Sequence, residues 1–193
     1  MKNIFFGIAV AAVSFTACNS GNNASNENSS SNTDTAHSAM QHDHTEAKNT
    51  ASINGIVAGY LQLKNALTAD NGKDAANSGN AIVSTVTDVD TTAFAQQQKK
   101  TWDDVIDDIK EHAEHIGENG DKIEHQREHF DLLSKDMYDL VKAFGSGQTL
   151  YQDFCPMYND NKGATWLSET KEIKNPYLGK KMPACGTVKE EIK

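Results

Sequence analysis

The chain has 193 residues, 27 Asp and Glu against 18 Lys and Arg, a formal charge of −9 and 37% hydrophobic residues. So acidic a chain is a poor partner for nucleic acid, whose affinity comes from Lys and Arg on phosphates. The excess charge favours solubility and weakly concentrates cations. Past the first stretch, no segment approaches the roughly 20 apolar residues of a membrane helix.

The N-terminus reads as an export signal. Lys2 gives a short positive region, and Ile4 to Phe15 form an apolar run too short to remain as a spanning helix. Phe15-Thr16-Ala17-Cys18 follows as a loose lipobox, with Phe where Leu is usual. The expectation is a signal peptide over 1–17 and a diacylglyceryl group on Cys18, so that attachment to a membrane is by lipid only. The competing reading is ordinary cleavage, with no role for Cys18. Residues 18–50 are rich in Asn, Ser, Thr and Asp, and bury too little to offset their ordering entropy, so they are expected to form a disordered tether. Within it, His37, Met40, His42 and His44 could capture copper or zinc loosely, or be chance residues of a polar linker.

From Ser52 a helical period sets in. Ile53, Val57, Tyr60, Leu61 and Leu67 mark a first helix, broken at Asp70-Asn71-Gly72. Ala75, Gly79, Ile82, Val83 and Val86 mark a second, weaker one. Asp90-Thr91 offers an N-cap to a third, whose stripe is Trp102, Val105, Ile106, Ile109, Ala113 and Ile116. After a turn at Gly117 to Gly120, a fourth carries Ile123, Phe130, Leu133, Met137, Leu140, Val141 and Phe144. Amphipathic helices with short connections predict an all-α fold, an antiparallel up-down four-helix bundle. The bundle domain spans 51–193, and its tail, from about 148 to 190, is expected to be irregular, with one or two helical turns laid across the bundle.

Something must hold such a tail down. Two clusters stand out in it: Phe154-Cys155-Pro156-Met157-Tyr158 and Lys181-Met182-Pro183-Ala184-Cys185-Gly186. Each sets a thiol beside a thioether in a turn stiffened by proline. Thiolates and thioethers are soft donors of the kind that select Cu(I) over Mg, Ca or Mn. If the tail folds back, Cys155, Met157, Met182 and Cys185 could close on one ion: Cu(I) first, with Ag(I) or Zn as alternatives. The rival is a disulfide between Cys155 and Cys185, the default in an oxidising compartment.

Among the histidines, His129 lies about 70° from the centre of the fourth helix's stripe on a helical wheel. That border position suits a further ligand to the tail site. His112 is likewise at a border, His115 points mostly to solvent and His125 lies further out. The expected register sets His112 level with His125, and His129 near Ile109. For any single one, a surface histidine bonded to Glu or Asp is the plainer expectation. No haem-attachment motif, H-E-x-x-H, glycine-rich phosphate loop or nucleophile elbow is present, and no enzyme is expected.

Several segments together carry a resemblance: Gln126-Arg127-Glu128-His129-Phe130, Leu133-Ser134, Phe154-Cys155-Pro156-Met157, Trp166-Leu167-Ser168, Asn175-Pro176-Tyr177-Leu178-Gly179 and Met182 to Gly186. In that order they resemble an uncharacterised domain family of bacterial exported proteins. Its members stand alone or are fused to the periplasmic adaptor subunits of CusB-type copper/silver efflux pumps. The resemblance spans about residues 55–190, with Leu178 where Phe is usual. It implies a helical periplasmic domain associated with copper or silver, with its Cys-Pro-Met and Met-x-x-Cys-Gly motifs on Cys155, Met157, Met182 and Cys185. The expected function is a lipid-anchored, periplasm-facing protein that binds copper or silver for homeostasis or efflux. Its partners would be the copper ion and an efflux-pump adaptor or other copper-handling protein. The alternative is a metal-free envelope interaction module stapled by a disulfide.

Overall fold

A computed structural model describes the backbone from Asp43 and the side chains from Ile53, in both cases to Lys193. The signal peptide, Cys18, His37, Met40 and His42 lie outside the described residues, as does the side chain of His44. Four long helices, α1 (Asp43–Thr68), α2 (Gly72–Thr87), α3 (Gln96–Glu118) and α4 (Ile123–Phe144), are followed by three strands: β1 (Leu150–Cys155), β2 (Ala164–Ser168) and β3 (Thr187–Ile192). α1 starts within the stretch expected to be tether. No helix among the described residues is long and apolar enough to cross a membrane.

The helices form where the apolar period predicts them, because each stripe finds a neighbour to bury it. α1 packs on α2, α2 on α3, α3 on α4, and α4 back on α1. Ile53, Val57, Tyr60 and Leu67 of α1, Ile109, Ala113 and Ile116 of α3, and Phe130, Leu133, Met137 and Leu140 of α4 share one core. Small residues bring α2 close: a Cβ on Gly79 would lie 2.6 Å from the Ala113 carbonyl. The α1–α2 break works as expected. Asp70 takes a positive φ of 55°, and the Asn71 side chain caps α2 by accepting from the Asp74 N–H. Asp90, however, does not cap α3. Its carboxylate accepts from the N–H and hydroxyl of Thr92, closing a local turn, and the helix begins only at Gln96. There Gln98 Oε1 accepts from the Ala95 N–H at 3.1 Å.

The fold is mainly helical rather than all-α, and the tail is not irregular. β1 is the middle strand of an antiparallel sheet of order β2-β1-β3, with Cys155 opposite Ala164 and Phe154 opposite Thr187. Neither edge strand shows a period of two. β2 packs on α4 and α1 and is buried at four of its five positions, whereas β3 is exposed over most of its length. Between β1 and β2, residues Asn159, Asp160 and Asn161 run through positive φ, a conformation that Asn and Asp tolerate best among non-glycine residues.

Candidate functional site: a thiol pair held by the sheet

The tail is tied to the helices by polar side chains reaching backbone. Arg127, buried on α4, donates to the carbonyls of Pro176 (2.9 Å) and Leu67 (3.2 Å) and to Asp70 Oδ1 (2.5 Å). The other oxygen of Asp70 accepts from the Lys180 N–H at 3.1 Å. Burial alone would raise the Asp70 carboxyl, but these donors outweigh it and hold it below the usual carboxylate range. Gly179 has φ +51°, and any Cβ there would collide with Asp70 and Arg127, so glycine is required on both counts. Tyr60 works the same way from α1. Its hydroxyl accepts from the Leu167 N–H at 3.0 Å and pairs with Ser134 Oγ at 2.8 Å, joining α1, α4 and β2.

Asn175 then shapes the second cysteine cluster. It is fully buried, and its Oδ1 accepts from the N–H groups of Tyr177 and Leu178 at 2.8 and 2.9 Å. Its Nδ2 donates to the Cys185 carbonyl at 2.6 Å, and its own N–H donates to the Pro183 carbonyl at 2.9 Å. One amide side chain therefore fixes both the Asn-Pro-Tyr turn and the Met-Pro-Ala-Cys turn. The Asn175-Pro176-Tyr177 triplet has a physical role that sequence reading did not supply. Gly186 (φ +154°) completes the approach, since a Cβ there would press on Trp166 at 2.9 Å.

The outcome is a close pair of sulfurs. Cys155 closes β1, Cys185 stands just ahead of β3, and their Sγ atoms are 3.5 Å apart and unbonded. Cys155 is buried and Cys185 half-buried. Burial, and then the neighbouring Cys155 thiol, push the Cys185 thiol above its ordinary value, although the Met157 N–H at its sulfur pulls the other way. A cation bound at Cys185 would have to displace the proton that this environment favours. Two thiolates sharing an ion at 2.3 Å in tetrahedral geometry lie about 3.8 Å apart, whereas bonded sulfurs lie about 2.05 Å apart. At 3.5 Å the two sulfurs stand at S–H···S contact distance, close enough for either outcome. Met157 and Met182 flank the pair in sequence, and at 49% and 39% exposure they are two of the four exposed large apolar residues among the described residues. Cys185 N–H donates to the Met182 carbonyl at 3.2 Å, so the second cluster turns back on itself.

His129 is placed elsewhere. It faces α3, where its Nδ1 lies 3.2 Å from Nδ1 of His112 and its ring stacks on His115 (centroids 4.3 Å) beside His125 (4.6 Å). The tail meets a different side of α4, where Tyr158, Asn159 and Asp160 line a groove with Glu124, Glu128 and Asp131. His129 therefore pairs with His112 and His115. Burial first, then the other three histidines, depress the His129 imidazole to about 4, and burial also lowers His112. The signal was available in the spacing: two histidine pairs, three and four residues apart, flank one short turn.

This geometry can be set beside known proteins. Residues 56–149 match the family model described as "Protein of unknown function (DUF3347)". The match covers the helices from the middle of α1 and ends one residue before β1, so the thiol pair lies outside it. No curated protein and no solved structure matches the chain.

Proposed function

We propose that this protein binds a soft metal ion, Cu(I) or Ag(I), between Cys155 and Cys185, with Met157 and Met182 as thioether donors. The observation that carries the reading is the pair of unbonded thiols 3.5 Å apart, brought from clusters 30 residues apart by the β1–β3 pairing. Two soft donors of each kind, in turns fixed by proline and by Asn175, form a donor set suited to a soft cation. The four helices serve as an antiparallel up-down bundle that holds this sheet. His129, grouped with other histidines, is the weakest member of the expected ligand set. The Cys18 lipobox and the resemblance to domains fused to copper/silver efflux adaptors extend the reading. The protein would then be lipid-anchored, periplasm-facing and non-enzymatic, passing copper to or from an efflux partner, with His37, Met40, His42 and His44 as a loose capture segment.

The test is an anaerobic Cu(I) titration of the reduced full-length chain against a chromophoric competitor, beside a Cys155→Ser/Cys185→Ser variant. Tight stoichiometric binding lost in the variant supports the reading. A second reading, a disulfide-stapled interaction module, is favoured by the same proximity of the thiols. Unreduced protein whose intact mass is lower by two protons, and which binds no Cu(I) even after reduction, would decide for it.

A further inference from the structure

Four of the seven histidines lie on the two helices that flank one turn: His112 and His115 on α3, His125 and His129 on α4. Spacings of three and four residues put each pair on one helix face. The turn after Glu118 folds α4 back onto α3, and the two faces meet. One ring nitrogen from each of His115, His125 and His129 falls within 4.8 Å of the other two. All three rings are half-buried, with His115 and His125 reachable from solvent.

We propose that His115, His125 and His129 form a second, all-imidazole metal site for a borderline divalent cation, with Zn2+ as the reference ion and Cu2+ as its competitor. Imidazole suits these cations, whereas the thiol pair suits Cu(I). Three nitrogens around zinc at 2.0–2.1 Å lie about 3.4 Å apart. Closing the set draws the nitrogens in from up to 4.8 Å and turns the His115 ring out of its parallel stack on His129, so that the in-plane lone pairs converge and a fourth position is left toward solvent for water.

The surrounding hydrogen bonds orient the rings for this task. His125 Nδ1 faces Glu128 Oε2 at 3.2 Å, which leaves Nε2 free for the ion. His129 Nδ1 faces His112 Nδ1 at 3.2 Å. With His129 donating and His112 accepting, the lone pair of His129 is on Nε2, directed away from His112. His112 and Glu128 are then positioning residues, the outer partners that fix tautomer and ring angle in histidine metal sites. The His129 ring is also kept unprotonated by its surroundings, as a ligand must be. Glu111, 4.0 Å from His115 Nε2, adds negative charge at the open side. Nothing here depends on the thiols, so this site stands or falls separately from the copper reading.

The test starts from a full-length chain carrying Cys18→Ser, Cys155→Ser, Cys185→Ser, His37→Asn, His42→Asn and His44→Asn, which removes every thiol and every imidazole outside α3 and α4. Zn2+ is titrated against a chromophoric competitor, and Co2+ is added separately to read ligand geometry from its visible absorption. One equivalent of Zn2+ and a tetrahedral Co2+ spectrum are expected. Adding His125→Ala or His115→Ala, both at accessible positions and checked for helicity by circular dichroism, should weaken Zn2+ at least about 100-fold and abolish the Co2+ bands. His112→Gln should keep the stoichiometry and weaken binding about 10–100-fold, as removal of an outer partner does. A folded parent that binds no Zn2+, or a parent whose affinity is unchanged by His125→Ala and His115→Ala, would overturn the assignment.

Discussion

The helices and the tail are held by different physics. α1 to α4 bury interchangeable apolar side chains over long stripes, so any one of them is supported by many others. The tail sends Leu150, Trp166, Leu167, Tyr177 and Ile192 singly into the same core, with no long stripe, and depends besides on the bonds of Arg127, Tyr60 and Asn175. A stripe tolerates local error, whereas a set of single polar anchors does not. The thiol pair has been built on the second kind of support, and its geometry is correspondingly specific.

The sharpest way to break this contrast is Phe130→Ala. Phe130 stacks on Tyr60 and meets Tyr177 (centroids 5.2 and 5.6 Å), so it belongs to both regions. Its loss should cost about 3–5 kcal/mol, and urea unfolding followed by helix and tryptophan signals should show both regions weakened together. Arg127→Ala comes next, at about 3 kcal/mol, since it leaves buried carbonyls and Asp70 without their donor. Here hydrogen exchange should rise chiefly over residues 175–181, with the α3 core little changed. Equal acceleration throughout would mean that the tail and helices open as one unit.

Asn175→Ala is a smaller step, about 2 kcal/mol for the lost buried bonds. It should nevertheless weaken Cu(I) more than any helix substitution of equal stability cost, because it releases the turn carrying Cys185. A competitor titration compares the two. The gentlest probe is pH. Asp153, wholly buried in β1 with neither side-chain oxygen hydrogen-bonded, is raised to about 7, by burial first, despite the nearby Lys64. Unfolded, it ionises near 3.9. Folding therefore withholds ionisation between those values, and stability is lost as pH rises from about 4 to 7. Asp153→Asn should gain on the parent across that window and hold a constant advantage above it. A pH-independent difference between the two melting curves would remove Asp153 from this role.

The same contrast explains what could be read from the sequence. Trp102, Val105, Ile109, Ala113 and Ile116 advertise their helix, because burial on one face imposes a period that composition preserves. β2 is buried on nearly all sides and β3 exposed along most of its length, so neither leaves an alternation, and β1 breaks its own with Gln152 and Asp153. That Cys155 and Cys185 come together, on one ion or as a disulfide, was legible from the residue types, whereas the strand pairing across 30 residues that sets their sulfurs 3.5 Å apart was not. For the histidines, a wheel drawn for one helix carries no information about the axial offset of the next. The α3–α4 register, which sets His129 against His112 and His115, emerges only from packing.

The β1–β3 ladder, which sets Phe154 opposite Thr187, also acts as a ruler. The distance between the two sulfurs is set by backbone register, and register comes in steps: sliding β3 by one residue moves Cys185 by about 3.3 Å and turns alternate side chains to the opposite face. Substitutions at neighbouring positions can adjust the sulfur spacing only finely. Insertion or deletion of a single residue between Cys185 and Thr187 would abolish it in one step, leaving four intact helices carrying a sheet whose two sulfurs no longer meet.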